Sequence, residues 1–429
     1  MDIDVRALTD PAQLHAFVRS SLAGFVRGPS ADPALVEHRA SYWDLNRVIG
    51  AFEEDEVPGA GPGGGGGERC VGTFRSFPQP LTAVGGATVT ADAITAVTVA
   101  ATHRRRGLLG RMMDLDLRAA KERGEMVATL IPTQYPIYGR FGFGPATSAA
   151  KWRVDVTRSG LDPRWSGPSA GGRVDFVDLA TVREVGPALY EEFRAGQPGA
   201  IGRDAMWWRE RTGDGHRPED WKEPFTVLYR SASGRAEGLL VYHVDPGWTD
   251  ARQPAATARV QDLVALTTGA YRALWEFLCA IDQVSTVVSG FRAPDDLLPH
   301  LLPDPRAAAV VAQCDWLWVR VLDAVRALEA RTYAAPGSLV LELVDPQGLT
   351  GGRYRLTVAE ADGPGSCEPC REEPELVMEV AELGALWLGD ESVRRLALLG
   401  RVTEGRPGAV DRADRMLRTV RSPWCPDMF

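Results

Sequence analysis

VTVAATHRRRGLL, residues Val97 to Leu109, reads as a short apolar strand, an arginine-rich turn and the start of a helix. The turn holds Arg104, Arg105 and Arg106, followed by Gly107, Leu108, Leu109 and Gly110. Three cations are badly placed at a helix N-terminus, because the macrodipole already puts positive partial charge there. An anion seated in the turn removes the conflict. The free N–H groups of the first helical turn then bind it, and the arginines add charge. Gly107 lets the backbone approach the ligand with no Cβ in the way. The stretch therefore predicts a phosphate or pyrophosphate cradle at a strand–helix junction.

The rest of the chain is organised around that junction. Its 429 residues suggest two to four domains with ample core. A net charge of −9 argues against a general nucleic-acid binder, whose surface would be basic. The start, MDIDVRALTD, has no apolar signal region, and no apolar run reaches the length of a membrane span. With six scattered cysteines, this leads to the expectation of a reduced, cytoplasmic chain without membrane partners. Cys367 and Cys370 form a CEPC pair, but no second pair follows at metal spacing. The pair reads as a loop or hairpin turn, and no metal is expected.

In order, LHAFVRSSLAGFV and ALVEHRASYWDLN carry apolar residues at helical spacing, with Trp43 on such a face. EEDE (53–56) and the glycine-rich PGAGPGGGGGE read as a solvated hairpin tip. CVGTFRSF (70–77) and ATVTADAITAVTVA alternate as strands. The helix from Gly107 to near Gly124 puts Leu108, Leu109, Met112, Leu115 and Ala119 on one stripe. The strand MVATLIP and a compact aromatic loop, IYGRFGFGPA (137–146), follow. Residues 151–312 repeat this order: VDFVDL, a helix, the hairpin FTVLYR/EGLLVYHV, then strand, turn, helix and strand. Their turn, LTTGAYR, lacks the arginines, so the second domain reads as a duplicate that has lost the anion site. From WLWVRVLDAVRALEARTY onward, strands and helices describe a third, small α+β domain.

The arginine turn resembles motif A of the GNAT N-acetyltransferases, with Arg104 and Gly107 on the pattern and Leu109 in place of its last small residue. THRRRGLL, IYGRFGFGPAT, DDLLPHLLPDPR and LWVRVLDAVRALEARTY together resemble one GNAT subfamily, the Eis acetyltransferases, over nearly the whole chain. The resemblance implies an α+β fold of tandem GNAT domains, each a mixed sheet with flanking helices, the second degenerate. A sterol-carrier-like domain follows. The units are expected at 1–150, 151–312 and 313–429. It implies acetyl-CoA as co-substrate, small-molecule amines (aminoglycosides or similar polyamines) as acceptors, and a homohexamer built as a trimer of dimers.

It also implies site residues. Tyr138 would be the acid that protonates the leaving thiolate, with Tyr135 its competitor, and the terminal carboxylate of Phe429 would be the base. Val97, Thr98 and Val99 would pair with the pantetheine arm. Arg104, Arg105, Arg106, Gly107, Leu108, Leu109 and Gly110 would hold the pyrophosphate. Thr133 and Gln134 would lie beside the thioester. Trp43 is carried as a substrate-binding residue, with core packing as its plain alternative. Three departures bear on the acceptor and the turn: Ala101 for proline, Ala96 for an aromatic and Met428 for an acid. Two other readings stay open, a lysine or peptide acetyltransferase and a non-catalytic lipid or sterol carrier.

Overall fold

The computed structural model describes residues 3–54, 68–162, 164–168, 171–217 and 221–429. The glycine-rich connector falls almost wholly outside the described residues. The chain opens with β1 (Asp4–Ala7), α1 (Ala12–Gly24), α2 (Pro33–Ala40), β2 (Val48–Glu54), β3 (Glu68–Thr82), β4 (Thr88–Val99), α3 (Leu108–Glu122) and β5 (Val127–Leu130). Strands β1 to β4 are antiparallel neighbours, while β4 and β5, joined through α3, run parallel. That parallel pairing covers only Ala91–Ala93 against Val127–Thr129, so the outer half of β4 has no neighbour on the β5 side.

Next come β6 (Gly144–Pro145), β7 (Ser148–Asp155), β8 (Arg173–Phe176), α4 (Leu179–Ala195), α5 (Ala205–Arg211), β9 (Phe225–Arg230), β10 (Ala236–Asp245), β11 (Ala256–Ala265), α6 (Thr268–Cys279), β12 (Val284–Arg292), α7 (Leu298–Leu301) and β13 (Ala308–Asp315). The second sheet runs β8-β9-β10-β11-β12 as the first runs β1-β2-β3-β4-β5, and β11/β12 is again a parallel pair bridged by a helix. The repeat seen in the sequence order is thus a repeat of topology.

The remaining elements are β14 (Trp318–Val321), α8 (Ala324–Glu329), β15 (Thr332–Tyr333), β16 (Gly337–Val344), β17 (Gly352–Val358), β18 (Gly363–Pro369), β19 (Leu376–Glu379), α9 (Val380–Trp387), α10 (Val393–Leu398), β20 (Val402–Glu404) and α11 (Ala409–Leu417). Strand β14 does not join the third sheet. It runs antiparallel on β5 and extends the first sheet, with β6 at its edge, while β7, which follows the first unit, extends the second beyond β12, with β13 at its edge. Each of the first two sheets is therefore extended by segments lying outside its own β1–β5 or β8–β12 run. The third sheet, β15-β18-β17-β16-β19-β20, packs Leu339, Leu341, Leu376 and Met378 against Leu383, Leu386 and Trp387, all buried.

Several local expectations shift. Helix α3 buries Met113, Asp116, Leu117 and Ala120 beside Leu108 and Met112, while Leu115 is exposed and Ala119 only half-buried. The contact face is turned by about one residue, because Ser76 on β3 donates to Asp116 at 2.7 Å and draws that side inward. Helix α1 stops at Gly24 rather than running to Val26. Trp43 lies beyond the end of α2, in the connection to β2, and not on a helical face. Glu53 is not a solvated tip residue: it is buried and pairs with His103 at 2.9 Å and with Arg69. Cys367 is buried inside β18 rather than in a turn, and all six cysteines are free. Among the described residues no cluster of His, Cys, Asp or Glu could hold a metal, and no helix is long and apolar enough to cross a membrane.

Candidate active site

Where β4 leaves β5, the structure opens a cleft of about 690 Å³. Its walls are Val97–Val99 on β4, His103–Arg105 and Gly107–Gly110 of the turn, Thr133, Gln134, Ile137, Tyr138, Arg140 and the end of α1, Gly24–Val26. Arg106 is absent from these walls, and so are Trp43 and Phe429.

The cleft is shaped by backbone in unusual conformations. Ala96 has φ 53°, which bulges β4 out of register with β3, and Thr73 Oγ1 fixes the bulge by donating to Ala96 O at 2.7 Å. Arg105 (φ 64°) and Val26 (φ 58°) are also left-handed, at a cost of about 1–3 kcal/mol each. Gly107 caps α3 at φ 75° with no side-chain hydrogen bond to the first turn. The N–H groups of that turn thus face the cleft without a capping side chain, as an anion requires. Arg104, Arg105 and Arg106 are exposed and unpaired among the described residues. His103 underpins the turn: Nε2 meets Glu53 at 2.9 Å and Nδ1 meets the Thr102 hydroxyl at 2.8 Å. Burial alone would raise the Glu53 carboxyl, but Arg69 and His103 more than offset it and hold it below the ordinary range.

Tyr138 is buried with its ring edge-on to Phe143 at 6.3 Å, and burial raises its phenol above the ordinary value. It both packs the aromatic loop and lines the cleft. Tyr135 is 55% exposed, leans on Trp318 and does not line the cleft.

Trp43 and Phe429 meet in a neighbouring cluster on β3. The Phe429 ring lies edge-on to Phe77 at 5.9 Å, the Arg75 guanidinium sits 4.7 Å from the Phe77 ring, and Arg75 sits 4.4 Å from the Trp43 ring. Phe77 faces Ala93 across the β3/β4 ladder, and Ala93 is the last β4 residue paired with β5. The end of the chain thus reaches the inner end of the split between those strands.

The tail is docked. Trp424 N–H donates to Pro198 O at 2.9 Å, Arg292 covers the Trp424 ring at 4.5 Å, and Trp316 Nε1 donates to Asp427 O at 3.1 Å. The Asp427 carboxylate takes Arg203 at 2.9 and 3.0 Å and the Tyr190 hydroxyl at 3.1 Å, all buried. Asp262 on β11 grips the same guanidinium at 2.7 and 3.0 Å. Trp424, Pro426, Asp427 and Met428 help to wall a cavity that Leu263 of β11 and Gly290–Arg292 of β12 also line. At its helix, Thr267 accepts from Ala270 N–H at 3.1 Å, so the first turn of α6 is capped by its own chain. The arginine-free turn of the second domain thus starts its helix with a capped first turn, unlike the uncapped start of α3.

Sequence reasoning missed Gly24–Val26, Arg75, Phe77 and Arg203. Only the first carried a signal, an apolar Phe-Val pair directly after a glycine. A Cβ on Gly24 would come within 2.5 Å of the Thr98 side chain, so only glycine lets α1 end against β4.

Comparison with known proteins matches this architecture. An acetyltransferase (GNAT) domain model spans residues 4–146, a second GNAT model spans 199–326, and a sterol carrier protein domain spans 324–426. An uncharacterized N-acetyltransferase of Streptomyces avermitilis is 56% identical over 429 residues, covering 100% of this chain and 99% of its own. The N-acetyltransferase Eis of Mycobacterium tuberculosis is 34% identical over 349 residues, 80% of this chain and 81% of its own. The crystal structure of Eis1 from Mycobacterium abscessus gives a TM-score of 0.80 at 30% identity, covering 99% of this chain and 100% of that one.

Proposed function

The chain belongs to the Eis family of GNAT N-acetyltransferases, and we propose that it moves the acetyl group of acetyl-CoA onto a primary amine of a small molecule. The observation that carries this reading is the cleft, which gathers Val97–Val99, Arg104, Arg105, Gly107–Gly110, Thr133, Gln134 and Tyr138 along one surface. Phosphate oxygens would meet the first turn of α3 and the arginines, and the pantetheine arm would run along the open edge of β4. GNAT folds use acetyl-CoA, and these residues fit it.

The amine must lose a proton before its nitrogen attacks the thioester carbon, and the C–S bond then breaks. The Phe429 carboxylate takes the proton from the ammonium. Tyr138, kept neutral by burial, donates its hydroxyl proton to the departing thiolate and regains one from the attacking nitrogen as the amide forms. Support for Phe429 is its contact with Phe77, beside the last β4/β5 rung, and the clamp on Asp427 two residues earlier. The carrier reading is disfavoured by the side chains that fill the interior of the third domain.

Aminoglycosides and polyamines are the acceptors implied by family resemblance, and the hexamer has the same basis. Both are checkable, by a CoA-thiol release screen and by light scattering. The decisive test removes Phe429. Turnover should vanish while acetyl-CoA binding, measured by calorimetry, persists. Normal turnover by the truncated chain would refute the terminal base.

A further inference from the structure

We propose, resting on the transferase reading above, that the acceptor amine also carries a carboxylate, which Arg75 binds from its place between Trp43 and Phe77. Trp43 carries a second guanidinium, Arg39, at 5.0 Å. Both arginines are half-buried, yet neither guanidinium has a hydrogen bond or ion pair among the described residues.

That sets them apart from the other buried arginines of this chain. Arg47 is paired with Asp92 and Glu125, Arg203 with Asp262 and Asp427, Arg292 with Asp296, and Arg320 with Asp345. Arg331 donates to the backbone carbonyls of Leu386, Trp387 and Leu417. The carboxylates nearest Arg75 are committed elsewhere. Glu210 on α5 accepts from the Tyr42 hydroxyl and meets His38 Nε2, both at 3.0 Å, and Asp204 caps α5 through Trp207 N–H at 2.7 Å. Burial pushes the Arg75 guanidinium down to about 10, and lowers Arg39 as well. A guanidinium loses proton affinity this way when it has shed water without gaining an anion.

One neutral donor beside these guanidinia is also unsatisfied. Trp43 Nε1, on the ring that both arginines cover, is buried and has no hydrogen-bond partner among the described residues. An unsatisfied buried donor costs about 1–3 kcal/mol, so an acceptor reaching this edge of the ring is favoured. Donors without acceptors, and cations without anions, call for an acceptor-rich anionic group. A guanidinium flanked by two aromatic rings presents its planar fork to a carboxylate bidentately. Phe429 touches the Phe77 ring, so an acceptor held by Arg75 through its carboxylate has its amine end beside the proposed base. A polycation would instead meet two like charges here.

The test compares β-alanine, γ-aminobutyrate and ε-aminocaproate with alkylamines of equal length, alongside putrescine and kanamycin, by CoA-thiol release at saturating acetyl-CoA. At its best chain length the carboxylate should raise kcat/KM by about ten- to a hundredfold over the matched alkylamine. In Arg75→Met that ratio should collapse toward one, with Arg75→Lys intermediate because it keeps charge without the fork. Arg39→Met should lower the ratio less. Calorimetric acetyl-CoA binding shows that each variant is folded. A preference for putrescine or kanamycin, or an unchanged ratio in an Arg75→Met protein that binds acetyl-CoA, would overturn the proposal. Thiol release confined to neutral amines would overturn it while leaving the transferase reading intact. No release with any amine would sink both.

Discussion

Asp427→Ala removes the anchor that holds the end of the chain. The side chain loses three contacts: Arg203 Nε at 2.9 Å, Arg203 Nη2 at 3.0 Å and the Tyr190 hydroxyl at 3.1 Å. Arg203 and Asp427 are 1% and 5% exposed, so water does not replace what is lost. Breaking a buried pair from one side typically costs about 3–5 kcal/mol. Asp262 still holds Arg203, which places the effect near the low end, about 3 kcal/mol. That shifts the ratio of docked to undocked tail by about two orders of magnitude. The remaining anchors, Trp424 N–H on Pro198 O and Trp316 Nε1 on Asp427 O, involve backbone and survive the substitution. The expected result is a large fall in kcat, with acetyl-CoA affinity unchanged and faster amide hydrogen exchange in residues 420–429. Asp427→Asn, which keeps an acceptor for Tyr190, should fall between. If Asp427→Ala turned over within about twofold of the parent while loss of Phe429 abolished turnover, the clamp would have no part in placing the base, and the reasoning would fail.

Three further expectations can be checked directly. Tyr138→Phe should lower kcat by about 10²–10⁴. The alkaline limb of the parent's pH–rate profile should lie above the ordinary phenol value of 10.0, because burial favours the neutral form, and should disappear in the variant. In the arginine turn, Arg105→Ala should weaken acetyl-CoA binding more than Arg106→Ala, since only Arg105 lines the cleft; equal effects by calorimetry would contradict this. Asp345→Ala should cost about 3 kcal/mol in chemical denaturation, because it strips the buried Arg320 of its partner at 2.7 Å. Burial alone would raise the Asp345 carboxyl, but Arg320 more than offsets it, so the folded-state value is depressed. Its contribution is present above the unfolded carboxyl value of 3.8 and is lost as pH falls through the lower folded value. The variant should accordingly lose less stability on acidification than the parent.

Much of the cleft beside α3 was legible in the sequence, because a turn is a local object. Arg104, Arg105, Gly107 and the following helix lie within a few residues, and the dipole conflict they create is independent of the rest of the chain. The face of α3 was less legible. Leu115 fits the helical stripe but is exposed, since a buried polar contact from Ser76 to Asp116 decided which side turned inward. Arg106 illustrates a similar limit: three adjacent arginines look alike in sequence, and the left-handed turn at Arg105 brings Arg104 and Arg105, but not Arg106, to the cleft.

The sequence by itself determined the order of strands and helices, the duplicated pattern, and the arginine turn present in one copy and missing from the other. Each follows from periodicity, turn chemistry and charge over short spans. Only the tertiary structure decided that β14 extends the first sheet and β7 the second, and that the tail lodges in the second domain through Arg203. It alone left Arg75 uncompensated between two aromatic rings. These depend on which distant groups become neighbours after folding: Asp427 and Arg203 are 224 residues apart. Whether a buried charge is satisfied or left to meet a ligand is a property of that packing, not of any local stretch of chain.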